Sequence, residues 1–251
     1  MNGRSGARAR FFLLCIALIW VTHAITYFAH EYAHSGTAWL LGYKSNPLAL
    51  DYGRLSVSNV LFLGQVDENV DYRAIFAQGQ GRAAALIAFA GMGIGNGLLY
   101  LLSRLVLRRD PVRRRTWLYL GTFWFCLMNV GNFYDYVPIR TFASHGDIAH
   151  IQQGLNLSPW MTVIVLGYPI AWILWHFFAR ILPETLRIIS PDSRFGQTAL
   201  VLTCAFLIFG YYGASGYFGY GEVSHVLSGI SMLAAPGVAA ACWPSRQLRD
   251  L

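Results

Sequence analysis

Two histidines and a glutamate form the pattern with the clearest chemical potential in the chain. His30, Glu31 and His34 spell H-E-x-x-H. On a helix, residues four apart share one face and lie about 6 Å apart along the axis, so both imidazoles can point at one ion. A catalytic zinc site has three protein ligands and an open position for water, and Glu31 is placed to take the proton of that water. The simpler alternative is a pair of core histidines that are hydrogen-bonded between helices.

The element that must position this pattern is an apolar run from Phe11 to about Leu41. The whole chain has 251 residues, 55% of them hydrophobic and only 12% charged. Soluble domains are about 25% charged, so the composition indicates a membrane protein. Ionisable residues are costly in hydrocarbon, and a chain that carries them there is expected to use them.

Runs that approach the roughly 20 residues needed to cross a bilayer occur six times. The sequence therefore predicts an all-α polytopic membrane protein, with one transmembrane domain over residues 1–251. A short β segment is expected at about 50–66, where the β-branched stretch 55–63 lies between glycines. Glycines and tyrosines between 210 and 221 leave open whether the last two spans are separate. The predicted spans are 11–41, 83–107, 116–138, 160–182, 198–217 and 223–243.

Basic residues predict the orientation. Cytoplasmic loops carry an excess of arginine and lysine, and a cytoplasmic N-terminus puts most of the 19 basic residues on that side, Arg246 and Arg249 among them. This favours a multi-pass protein of the cell (inner) membrane, and not a nucleic-acid partner. The arginine-rich start imitates a signal peptide but has no clear cleavage site, so we expect a retained first helix. The basic residues on the other side are Lys44, Arg54, Arg73, Arg82 and Arg140.

A third metal ligand is needed, and the best candidate is Asp147, in the stretch from His145 to Ile151 that reads H-G-D-I-A-H-I. H-E-x-x-H in a first membrane helix, followed much later by D-x-x-H-I, resembles the site-2 protease family of intramembrane zinc metalloproteases. Pro138 stands upstream, as a proline does in the family's later motif. The resemblance implies that Asp147 completes a zinc site with His30 and His34.

A second stretch carries the same resemblance. Ala90 to Asn96 reads A-G-M-G-I-G-N and is similar to the family's A-G-P-x-x-N, whose asparagine lies near the active site. Small residues let a neighbouring helix approach closely, so packing with Asn96 bonded to backbone is the alternative to a substrate contact. The two glycines that follow the family's aspartate are replaced by Ile148 and Ala149. The match covers the first three predicted helices and the segment after them.

Other polar residues are weaker candidates. Asp135 is the alternative third ligand, although it lies in an aromatic stretch typical of a membrane interface. His23 falls on the stripe of His30 and His34, and it and His150 are candidate outer partners of the metal ligands. The four cysteines show no C-x-x-C spacing, and we expect neither a disulfide framework nor a cysteine zinc site.

The resemblance implies an intramembrane zinc endopeptidase. Zinc would polarise the peptide carbonyl and activate water, and Glu31 would be the general base. The partners are the lipid bilayer and a membrane-protein substrate, whose transmembrane helix must unwind before attack because its carbonyls are hydrogen-bonded. Strand 55–63 could hold the unwound segment by edge pairing. The alternatives are a non-proteolytic membrane hydrolase, or a catalytically silent protein that binds membrane segments or zinc.

Overall fold

Helices make up most of the protein in the computed structural model, which describes residues 2–190 and 193–244. Over those residues there is no β-sheet, and one isolated antiparallel bridge joins Asp51 to Asp67. Arg246 and Arg249 lie outside the described residues. The helices are α1 (Asn2–Leu40), α2 (Val57–Phe62), α3 (Tyr72–Ala77), α4 (Gly81–Leu107), α5 (Asp110–Arg113), α6 (Thr116–Tyr134), α7 (Asp147–Leu155), α8 (Pro159–Ile189), α9 (Arg194–Tyr217) and α10 (Glu222–Ala241).

The predicted all-α membrane architecture is confirmed in its coarse form. Within the described residues, five helices are long and apolar enough to cross a membrane, and they match five of the predicted spans. The last two are separate helices, because Gly221, at φ 95°, lies between α9 and α10. The candidate spans are Ala9–Leu40, Gly81–Leu107, Pro159–Ile189, Arg194–Tyr217 and Glu222–Ala241.

The sixth predicted span, 116–138, is not confirmed. It corresponds to α6, which is helical but is not among the candidate spans of the described chain. Asn129 and Asn132 lower its mean hydropathy. Large side chains along α6, such as Trp124 and Leu127, are fully buried. The apolar residues of α6 therefore pack against other parts of the protein. The mean hydropathy of a stretch does not distinguish such residues from residues that contact lipid.

The chain divides into two compact units, one ending at Asn129 and the other beginning at Val130. In the first unit α4 packs against α1. The middle of α4, from Gly91 to Leu98, is a π-helix, which inserts extra backbone into a helix and often marks a functional site. A Cβ atom on Gly95 would lie 2.9 Å from His30 Cα, so the two backbones nearly touch where the histidines lie.

The predicted β segment at 50–66 is not confirmed, because its centre is helix α2. Ser56 starts this helix, since its hydroxyl accepts a hydrogen bond from the Asn59 N–H at 3.1 Å. Leu63, at φ 56°, ends it. Local capping therefore overrides the β propensity of the valines, and only the pairing of Asp51 with Asp67 resembles a strand contact.

The segment around α2 lies against the middle of α1. Leu50, Leu63 and Val66 form a buried cluster with side chains from the 24–32 stretch of α1. His23 Nε2 donates to the Phe62 carbonyl at 3.1 Å, and Tyr27 Oη donates to the Val66 carbonyl at 3.3 Å. Since residues 23–32 lie within a candidate membrane span, the chain between α1 and α3 turns back along that span.

The second unit is built on close packing of α9 and α10. A Cβ atom on Gly213 or Gly216 would lie under 3.0 Å from atoms of Ser231 or Ser224, so only glycine fits. Ser231 Oγ donates to the Phe209 carbonyl at 2.8 Å and accepts from Tyr134 Oη at 2.9 Å. These bonds satisfy polar groups inside an apolar helix pair and fix its register.

Candidate metal centre

The two histidines of H-E-x-x-H form a buried pair on α1. The side chains of His30 and His34 are 4% and 1% exposed, and their Nε2 atoms lie 2.9 Å apart. Helical spacing brings the rings together edge to face, with centroids 4.6 Å apart. The same nitrogen of each ring therefore points to one place between them.

A chain of hydrogen bonds fixes the proton on His30. The Phe125 carbonyl can only accept, so Asn129 Nδ2 donates to it at 2.7 Å and presents Oδ1 to Asn96. Asn96 Nδ2 donates to that oxygen at 3.2 Å, which turns Asn96 Oδ1 toward His30. His30 Nδ1 donates to it at 2.7 Å. In the neutral ring, Nε2 then carries a lone pair.

A single hydrogen bond fixes the proton on His34. Its Nδ1 donates to the Ile87 carbonyl of α4 at 2.7 Å. With both Nδ1 atoms protonated, two lone pairs face each other at 2.9 Å, an arrangement that needs a positive charge between or beside them. A tetrahedral zinc ion holds two imidazole nitrogens about 3.3 Å apart, so a small rotation of the rings would admit it. A shared proton is the other way to satisfy the pair.

Gly91 keeps space open beside the two nitrogens. A Cβ atom on this residue would lie under 3.0 Å from the Nε2 atoms of both His30 and His34. The π-helix begins at Gly91, so the bare backbone of α4 faces the donor atoms where an ordinary residue would place a methyl group. This space fits a small ion, and we conclude that the residues present suit a metal.

Asp147, the third ligand that the sequence predicts, is partly buried and belongs to the second unit. Asp147 begins α7, directly after Gly146, whose φ of 86° favours glycine. Asp135, the alternative third ligand, is buried, and its Oδ2 accepts from Arg140 Nη1 at 3.1 Å. Two imidazoles and one carboxylate are a donor set that zinc uses in catalytic sites.

Glu31 lies next to His30 and is 7% exposed. A buried carboxylate in an apolar helix is costly unless it has a partner or a task. Beside a metal it has the chemistry of a general base, since it can accept a proton from water and deliver it elsewhere. The helix therefore carries two candidate ligands and a candidate proton acceptor.

The other predicted residues fall in different settings. The side-chain oxygen of Asn96 contacts His30, and not a backbone group. His23 is bonded to the segment that carries α2. His150 lies in the first turn of α7, where its N–H donates to the Gly146 carbonyl at 3.0 Å. Asn96 is thus the predicted outer residue that directly contacts one of the two histidines.

Sequence reasoning missed two contributors. Gly91 belongs to the stretch Ala90 to Asn96, for which the sequence predicts close helix packing. Its position beside the imidazoles follows from the π-helix, which the sequence signals only as an excess of glycine. Asn129 lies in the buried part of α6, within the span that the sequence predicts at 116–138. Its place after an aromatic, apolar stretch was the available signal, because a buried asparagine needs a partner.

Loss of the Asn96 amide should weaken metal binding. Asn96→Leu leaves His30 Nδ1 without its acceptor and frees the ring to rotate, and outer-shell changes of this kind cost about 10–100-fold in metal affinity. Competition with a chromogenic chelator measures the zinc affinity. Asn132→Leu, which removes an amide that donates to Tyr212 Oη at 3.4 Å, is the control and should bind zinc normally. Unchanged affinity in Asn96→Leu would contradict the role given to this amide.

No known protein family, curated protein or solved structure matches the chain, so its function rests on the geometry of its own site.

Proposed function

We propose that the protein is an intramembrane zinc metalloendopeptidase that cleaves transmembrane or membrane-proximal segments of other membrane proteins. The observation that carries the proposal is the buried histidine pair, whose Nε2 atoms lie 2.9 Å apart inside a candidate span. Hydrogen bonds from each Nδ1 to Asn96 Oδ1 and to the Ile87 carbonyl support the proposal, because they leave each Nε2 as the nitrogen that would bind a metal. The resemblance to the site-2 protease family supports the same reaction.

Each ligand would have a defined part. His30 and His34 would hold zinc through Nε2, and Asp147 would complete the site with a carboxylate oxygen. Bound zinc supplies a Lewis acid that polarises the scissile carbonyl and acidifies water. Glu31 takes the proton of the attacking water and later delivers it to the leaving amine. The negative charge of Asp147 leaves the donor set less positive than three imidazoles would.

The setting favours a membrane substrate. His30 and His34 lie in the candidate span Ala9–Leu40, so a target peptide bond must reach that depth. A membrane helix hides its carbonyls in internal hydrogen bonds and must unwind first. Residues 57–62 are helical, so this segment does not offer a strand edge to hold the unwound substrate. The exposed apolar residues of this segment instead offer a surface within the lipid.

Orientation and location belong to the same proposal. The excess of arginine on one set of loops favours a cytoplasmic N-terminus in a cell (inner) membrane. The histidines would then lie in the outer half of α1. Accessibility of single cysteines introduced at positions 6 and 69 to a membrane-impermeant reagent distinguishes the two orientations.

Zinc content is the first test of the proposal. Protein purified in detergent should hold one zinc ion per chain, and His34→Ala should lose it, because each imidazole supplies one donor. His176→Ala is the matched control, since His176 also lies in an apolar helix but stacks on Trp172. A wild-type protein without zinc under conditions that preserve folding would contradict the proposal.

Cleavage is the second part of the same test. Wild-type protein and a single-pass transmembrane substrate are reconstituted in liposomes, and the peptide products are identified by mass spectrometry. A metal-dependent cut within or beside the transmembrane segment is expected. Turnover of lipid esters or amides without peptide products would indicate a non-proteolytic hydrolase. Bound zinc with no turnover of either kind would indicate a silent binding protein.

A further inference from the structure

Arg140 is a largely buried cation held between two aromatic rings in the second unit, with its side chain 15% exposed. Its guanidinium carbon lies 4.8 Å from the Tyr136 ring centroid and 4.2 Å from that of Tyr220. Nη1 donates to Asp135 Oδ2 at 3.1 Å. Arginine is suited to such a position because its planar group stacks on rings and donates at its edge at the same time.

The same guanidinium reaches the turn that carries Asp147. A Cβ atom on Gly146 would lie 2.9 Å from Arg140 Nη2, so Arg140 packs directly on the residue before Asp147. The charge of Asp147 also acts on Arg140: burial lowers the pKa of Arg140, but Asp135 and then Tyr136, Tyr220 and Asp147 outweigh it and raise the pKa overall. His145, on the other side of Gly146, stacks on Tyr220 with centroids 4.9 Å apart.

The ion pair of Arg140 and Asp135 lacks the additional hydrogen bonds that would make it stabilising. Among the described residues, the buried atoms Asp135 Oδ1 and Arg140 Nε have no hydrogen-bond partner. A buried pair gains over its desolvation cost only when its remaining donors and acceptors are satisfied. Replacing both charges at once should therefore cost little stability.

We propose that Arg140 is a positioning residue that holds the turn 145–147 against Tyr136 and Tyr220 and so fixes the Asp147 carboxylate as a metal ligand. This inference rests on the proposed function. Asp135 then serves as the second anchor of the guanidinium. The rings set the plane of the guanidinium, Asp135 sets its rotation, and the bare Gly146 lets it contact the turn.

Zinc affinity and a cobalt spectrum test the proposal. Arg140→Gln should weaken zinc binding by about 10–100-fold, as loss of an outer partner does. In the Co²⁺-substituted protein, the visible absorption of Arg140→Gln should shift toward that of Asp147→Asn, because both variants lose the fixed carboxylate. Arg140→Lys keeps the positive charge but lacks the planar guanidinium group that stacks on the rings, and this variant should bind zinc more weakly than wild type. Arg104→Gln, which removes an arginine 5.8 Å from the Tyr100 ring, is the control and should bind zinc normally.

The double variant Asp135→Asn/Arg140→Gln separates positioning from stability. It should fold, with a thermal midpoint close to wild type, and should still bind zinc weakly. Wild-type zinc affinity in the double variant would show that Arg140 only neutralises Asp135, and would overturn the proposal. Failure of the double variant to fold would assign the pair a structural role and overturn it too. A wild-type protein that binds no zinc would instead contradict the proposed function on which this inference rests.

Discussion

Glu31→Gln should keep zinc at one ion per chain and lower the rate of peptide cleavage by about 10²–10⁴-fold, the usual contribution of a general base. Glutamine has nearly the same shape as glutamate but cannot accept the proton of the attacking water. The substitution changes none of the proposed ligands His30, His34 and Asp147. Zinc content is measured by elemental analysis, and the rate with a transmembrane substrate in liposomes.

The control for this variant is the same substitution at an exposed glutamate. Glu222 lies in the first turn of α10, and Glu222→Gln should cleave at the wild-type rate. If Glu31→Gln loses zinc as well as activity, Glu31 is a ligand. If it keeps full activity, another group is the base. Either result would contradict the role assigned here.

Gly91→Ala should bind zinc at least 100-fold more weakly, and cleavage should fall with it, because the added methyl group would lie under 3.0 Å from both Nε2 atoms. The backbone accepts alanine, since Gly91 has φ −57° and ψ −55°. Alanine also favours a helix over glycine by about 1 kcal/mol, so folding should not suffer from the change of backbone freedom. Chelator competition gives the affinity, and thermal unfolding monitors the fold.

Gly97→Ala is the matched control because it lies in the same π-helix. A Cβ atom there would meet its nearest neighbour, the Met92 carbonyl, at 3.6 Å, which is ordinary contact. This variant should bind zinc normally. If both alanine variants lose zinc equally, the helix and not the space beside the imidazoles decides metal binding. If Gly91→Ala retains full affinity, the metal lies elsewhere.

The parts of the fold that could be predicted from the sequence are those that depend on residues close together in the chain. Five of the six predicted spans are helices that could cross a membrane, because length and composition alone decide that property. Residue spacing predicted that His30 and His34 would share a face. The strand predicted at 55–63 is not confirmed because Ser56 caps a helix there. The span predicted at 116–138 is not confirmed either, because an apolar run in the sequence is the same whether protein or lipid covers it.

The details of the site depend on contacts far apart in the chain. Asn96 donates to Asn129, 33 residues away, and that amide is what sets the proton on His30. Pairing of Arg140 with Asp135 follows from the end of α6, where a five-residue separation closes through a π-helical turn. A pattern of residue types contains these residues but not their pairing, because a π-helix changes which residues share a face.

The π-helix of α4 has a consequence for deletion variants. Each residue of an ordinary helix turns the chain by about 100°, so removing one residue between Gly91 and Asn96 would restore the common pitch and rotate everything after it. The amide would then swing off the imidazole, while the helix ends would move by only about 1.5 Å. A one-residue shortening could therefore silence this protein while leaving its insertion into lipid intact.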